Sequence, residues 1–153
     1  MFSNVGCTKK SSDVTVVTTG LSFTAEIVFD SMEYSCITEI EESNKTVFTI
    51  LTPREIKGLR VVFDKDKVNM EYDGLTHTLN NSSSKFIPLE LIYKIFKGLK
   101  TDGKKSKNDK NEFSISIDYS EYIIKVGQTG LPIEISNPSK KLFVNIKHAT
   151  IIE

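Results

Sequence analysis

The sequence predicts an α+β fold that is mostly β: a curved antiparallel sheet, an incomplete barrel of about nine to eleven short strands, covered by one main helix. Three observations lead there. Apolar residues recur with a period of two along most of the chain, and turn residues punctuate these runs. The period changes to that of a helix only once, between Pro88 and Leu99. At 153 residues the chain suits a single domain with a genuine core.

Met1 to Asp13 is small, polar and without periodicity, as expected of a flexible tether, and 14–153 forms the domain. Val14 to Thr19 is β-branched and is expected to begin the sheet. Ser22 to Phe29 then alternates, with Phe23, Ala25, Ile27 and Phe29 on one face. After Asp30-Ser31, the run Met32 to Glu41 carries Tyr34, Cys36 and Ile40 on one side. The stretch Thr46 to Leu79 adds three or four short strands, bent at Pro53, Gly58 and Gly74. Leu59, Val61 and Phe63 share one face there, as do Val68, Met70 and Tyr72 in the next segment.

Asn80 to Lys85 is a polar loop before the one helix. Leu89, Ile92, Ile95, Phe96 and Leu99 fall on a single helical face, and Pro88 suits the first turn because its missing N–H costs nothing there. Lys97 and Lys100 complement the carboxyl end of the helix dipole. Thr101 to Asn111 is a lysine-rich loop, either a solvated excursion or a contact for an acidic partner or polymer. Strands resume at Phe113, Ile115, Ile117 and Tyr119, with a turn at Ser120-Glu121. Further strands are expected at Tyr122 to Val126, Leu131 to Ser136 and Leu142 to Ile152.

Composition excludes several classes. Lys+Arg and Asp+Glu are both 20, so no global field favours nucleic acid. No run of about eighteen apolar residues is present to span a membrane as a helix. No pair of histidines or cysteines has zinc spacing, and the Asp64-Lys65-Asp66-Lys67 turn lacks the glycine and terminal glutamate of a calcium loop. No nucleophile motif or phosphate-cradling glycine loop occurs, so neither an enzyme nor a cofactor is expected. His77 alternates with Leu75 and Leu79 and reads as a packed or hydrogen-bonded strand residue. What remains is an apolar inner face. Phe23, Ile27, Phe29, Val61, Phe63, Met70 and Phe96 either pack against one another or enclose an oily cavity.

Cys7 follows Val5-Gly6 and precedes a polar run, which is how a mature bacterial lipoprotein begins. Asn4 stands where leucine is usual, and only six residues precede Cys7. Cys7 is therefore a candidate lipidation site, an incidental cysteine, or a disulfide partner of Cys36.

In order along the chain, Phe23–Phe29, Tyr34–Ile40, Thr52-Pro53-Arg54-Glu55-Ile56-Lys57-Gly58-Leu59, Val68-Asn69-Met70-Glu71-Tyr72-Asp73-Gly74 and Gly130-Leu131-Pro132-Ile133-Glu134-Ile135 resemble segments of the LolA/LolB superfamily of lipoprotein-handling and lipid-carrier domains. With Cys7 and its Lys/Asn/Ile-rich composition, the chain is similar to clostridial spore germination lipoproteins of the GerS type. That resemblance implies a LolA-like fold and a non-catalytic protein outside the cytoplasm, anchored to a membrane by lipid and belonging to the spore envelope. It implies a protein partner, a peptidoglycan amidase that prepares spore cortex for germination. The carrier branch implies instead an acyl-chain ligand, a lipid or acylated lipoprotein, on the concave face. Carriers use several helices to lid that face, and this chain has one clear helix.

Overall fold

The computed structural model describes residues 14–65, 67–79 and 86–152. The chain forms strands β1 (Leu21–Phe29), β2 (Met32–Ile40), β3 (Thr46–Thr52), β4 (Arg60–Asp64), β5 (Lys67–Tyr72) and β6 (Leu75–Leu79). The helix α1 (Ile87–Asp102) follows, then β7 (Lys104–Lys105), β8 (Glu112–Ile117), β9 (Ser120–Val126), β10 (Pro132–Asn137) and β11 (Leu142–Ile151). All eleven strands form one sheet in the order β6-β5-β4-β3-β2-β1-β11-β10-β9-β8-β7, antiparallel throughout. The first and last long strands pair at its centre, with Ala25 opposite Ile146 and Phe29 opposite Leu142.

Alternation creates the core. Leu21, Phe23, Ala25 and Ile27 of β1 are buried while Glu26 and Val28, on the other face, are exposed. Val68 of β5 and Phe113 of β8 share one hydrophobic core, yet eight strand spacings separate them in the sheet order. Flat, that is roughly 38 Å, so the sheet must curl to bring both to one core. Among the described residues β6 and β7 share no ladder, so the curl stays open as the sequence predicts.

α1 occupies the hollow of the curl. Leu89, Ile92, Ile95, Phe96 and Leu99 are all buried, each worth about 1.5–3 kcal/mol of apolar transfer. Phe96 packs on Phe23 with ring centroids 5.7 Å apart. Gly98 allows close approach to β8, because a Cβ there would stand 2.6 Å from Ile115 Cδ1. Pro88 sits in the first turn as expected, and the Gly103 N–H donates to the Leu99 carbonyl at 3.2 Å where the helix ends.

Three expectations are corrected. Val14 to Thr18 makes no strand, because β2 and β11 already occupy both sides of β1. The segment is instead pinned by the Val17 N–H donating to the Gly130 carbonyl at 2.9 Å. Gly130 has φ +88°, and a Cβ there would fall 2.0 Å from Thr15 O, so the position accepts no side chain. The turn after β8 is Asp118-Tyr119, with φ +50° and +68°, while Ser120 and Glu121 already pair in β9 opposite Ile117 and Ser116. A two-residue turn of that hand matches the twist of its flanking strands. The lysine-rich stretch is not wholly loop: α1 runs on to Asp102, and Lys104 and Lys105 pair with Ser114 and Phe113. In β11 the alternation of Leu142, Val144 and Ile146 ends at His148, whose φ of +55° marks a bulge opposite Phe23. The expected tether 1–13 and polar loop 80–85 lie outside the described residues.

Phe96→Ala should cost about 3–5 kcal/mol, since the ring is 1 % exposed and the sheet on both sides cannot collapse into the void. Urea unfolding followed by circular dichroism reads it. A loss under about 1 kcal/mol would mean α1 is not the core's filler.

Candidate functional site

The inner face is packed, not hollow. Phe23, Ile27, Val61, Phe63 and Phe96 are at most 3 % exposed, and Phe29 is half-buried against the same core. Met70 lies on that face but at its rim, half-buried. Tyr93, which the sequence reading left off the buried helix face, is buried and stacks on Phe63 at 5.2 Å. Its hydroxyl donates to the Lys65 carbonyl at 3.3 Å, and Lys97 Nζ stands 5.5 Å from its ring. Its spacing of four from Leu89 and three from Phe96 was the available signal.

An apolar opening lies on the inner side, at the start of α1. Tyr34, Ile50, Ile56, Phe86, Pro88 and Leu89 line a cavity of about 170 Å³. Small-molecule sites typically span about 300–1,000 Å³.

Beyond the helix, the sheet continues without cover from the described residues. Leu59, Met70, Tyr72, Leu75 and His77 form a shallow apolar shelf around about 200 Å³ of space. Tyr72 is 48 % and Leu75 76 % exposed. The Asp73-Gly74 turn, with φ +52° and +81°, fixes the register that sets Tyr72 opposite Leu75 and Met70 opposite His77. Of the two readings for His77, packed or hydrogen-bonded in its strand, the first is corrected: the side chain is exposed, and among the described residues only β5 pairs with its strand.

The convex face carries a wider furrow of about 580 Å³, lined by Glu26, Glu33, Ser35, Glu134, Phe143 and Asn145 among others. Two of its carboxylates are answered locally. Glu26 accepts from Lys147 at 3.1 Å and from Asn145 at 3.4 Å, and Glu134 lies 4.0 Å from Lys125. Exposed pairs of this kind contribute little. His148 is exposed at its bulge. Among the described residues no three His, Cys, Asp or Glu side chains are grouped to hold a metal, and no helix is long and apolar enough to cross a membrane.

Cys36 is a free thiol buried in the core, beside Thr38 at 3.7 Å. Burial pushes its pKa up to about 11, against a smaller lowering by the Thr38 hydrogen bond. A thiol held protonated and inaccessible is a poor nucleophile. Cys7 lies outside the described residues.

No family model matches the chain, and no curated protein matches it in sequence. Among solved structures, the LolA superfamily protein NE2245 from Nitrosomonas europaea aligns with a TM-score of 0.43 at 8 % identity, over 95 % of this chain and 91 % of that one.

Cys36 sets a pH dependence. Below pH 9 both folded and unfolded thiols are protonated, so its contribution is constant. From pH 9 to about 11 the unfolded thiol ionises while the folded one holds its proton, so stability falls as pH rises. Unfolding of Cys7→Ser and Cys7→Ser/Cys36→Ala proteins across that window should show the former losing on the order of 2 kcal/mol more. Parallel curves would mean that Cys36 is not buried as described.

Proposed function

We propose that the chain is a non-catalytic protein-binding module, held outside the cytoplasm by a lipid on Cys7, whose partner is a cell-wall amidase acting on spore cortex before germination. The observation that supports a binding module is the distribution of apolar surface. α1 fills the concavity, and an exposed apolar shelf of Leu59, Met70, Tyr72 and Leu75 sits at an edge strand that, among the described residues, pairs only with β5. An edge of that kind docks protein by strand addition, with flanking side chains giving specificity. The compartment and the amidase rest on the sequence resemblance and on Val5-Gly6-Cys7. A diacylglyceryl group on Cys7 would supply two chains, enough for stable anchoring.

An acyl-chain carrier is the second reading, supported by the apolar cavity at Tyr34, Ile50 and Phe86. Its 170 Å³ is small for an acyl chain, which favours the protein-binding reading. Native mass spectrometry of gently purified protein decides between them, since a carrier retains acyl species and a module does not.

The amidase should co-purify with the wild-type chain, and Leu75→Asp should cut that capture about tenfold without affecting the fold, the side chain being exposed. Equal capture by both proteins would remove the shelf as the docking surface. Palmitate should label the wild type and not Cys7→Ser, and label on both would exclude Cys7 as the anchor.

A further inference from the structure

We infer that the first protein taken by the β6 edge is a second copy of this chain, joined strand to strand about a two-fold axis through His77. The inference rests on the reading of the rim as a protein-docking surface and names its occupant.

The two edges of the sheet are built differently. β7 has two residues, both lysine, which is a common way to discourage edge pairing. β6 has five residues with no charge, proline or bulge, and it pairs with β5 in unbroken register. Four of its five residues are exposed.

Its sequence is also self-complementary. Leu75-Thr76-His77-Thr78-Leu79 reads the same in both directions. Two antiparallel copies centred on His77 set Leu75 against Leu79, Thr76 against Thr78, and His77 against itself. An isologous two-fold contact requires that kind of match.

The hydrogen-bond phase agrees. Closing a two-residue turn makes Tyr72 and Leu75 a hydrogen-bonded pair, and alternation makes Met70–His77 and Val68–Leu79 bonded pairs too. The N–H and C=O groups of Thr76 and Thr78 therefore point away from β5, toward the open edge. Self-pairing about His77 places Thr76 opposite Thr78 in each half, so these groups form four hydrogen bonds across the seam. His77 then meets its copy in the non-bonded, closer spacing, with Cα atoms about 4.5 Å apart.

Charge does not oppose the contact. The closest charged pair, Arg60 and Glu71, neutralises itself on the convex side. On the inner side the two shelves meet as one apolar trough, presenting Tyr72, Met70 and Leu59 of both copies to a further partner. Five residue pairs give a small interface, below about 1,200 Å², so the dimer should be a micromolar one.

The test uses the full chain carrying Cys7→Ser. Sedimentation at rising micromolar concentration should approach twice the 17.2 kDa chain mass. Thr76→Pro keeps the hairpin, because that N–H faces outward, and removes a donor from each copy; dimerisation should weaken about tenfold or more. His77→Cys should form a disulfide-linked dimer on mild oxidation, its Cα spacing lying within disulfide reach. Thr76→Cys should cross-link to Thr78→Cys in a mixture and not to itself.

A monomer at every concentration with no His77→Cys cross-link overturns the inference, as does self-linking of Thr76→Cys. Either result alongside loss of amidase capture in Leu75→Asp leaves the docking surface standing with another occupant. A dimer whose rim variants capture the amidase unchanged keeps the inference and removes the rim from the proposed function.

Discussion

The contact of α1 with the inner face of the sheet is the constraint on which the rest of the structure depends. Phe96 against Phe23 and Tyr93 against Phe63 tie the helix to β1 and β4, and Gly98 lets it close on Ile115 of β8. The sheet's inner face is largely apolar and must curl around something. The helix's apolar stripe must cover something. Neither element is stable in water without the other. The match is limited by size: sixteen residues make a rod about 24 Å long and 10–12 Å across. Eleven strands offer more inner surface than such a rod can shield, and the excess appears at β5 and β6.

That mismatch leaves exposed apolar surface at the rim while the hollow is filled. A second helix over β5 and β6 would bury Tyr72 and Leu75, whereas more space under α1 would make a ligand cavity. The chain has neither feature among its described residues. The titratable groups point the same way. Cys36 is sealed and protonated, the convex carboxylates Glu26 and Glu134 face lysines, and His77 and His148 stand on separate strands at exposed positions.

The architecture was legible because period-two alternation and one helical stripe are strong signals where one face is buried. Phe23, Ala25 and Ile27 fall as their spacing requires, and Leu89, Ile92, Ile95, Phe96 and Leu99 all pack inward. What was not legible depends on neighbours distant in sequence. Val14 to Thr18 has strand-forming residues, but no free strand edge lies beside it. Asp118-Tyr119 forms the turn because β8 and β9 pair to their ends, and Tyr119 is a poor advertisement for positive φ. The shelf was half legible. Met70 lies on the inner face at its rim, and alternation cannot say where a covering helix stops, so it gave no sign that Tyr72 would be exposed.

Chain order explains why the two sheet edges differ. β6 ends just before the segment that leads into α1, and β7 begins two residues after α1 ends. The helix is thus the connection between the two edges of one sheet, and it crosses the inside of the curl. A closed barrel would have removed both edges by pairing them. With α1 occupying the hollow, each edge has to be managed alone. At β7 the management is brevity and lysine. At β6 the same pressure applies to a longer strand with leucine on one face and threonine on the other, and no charge replaces either. An uncharged edge of that length is a template for pairing with another chain. Among the described residues, the uncharged β6 edge is thus left outside the helix's cover by the same packing that closes the core.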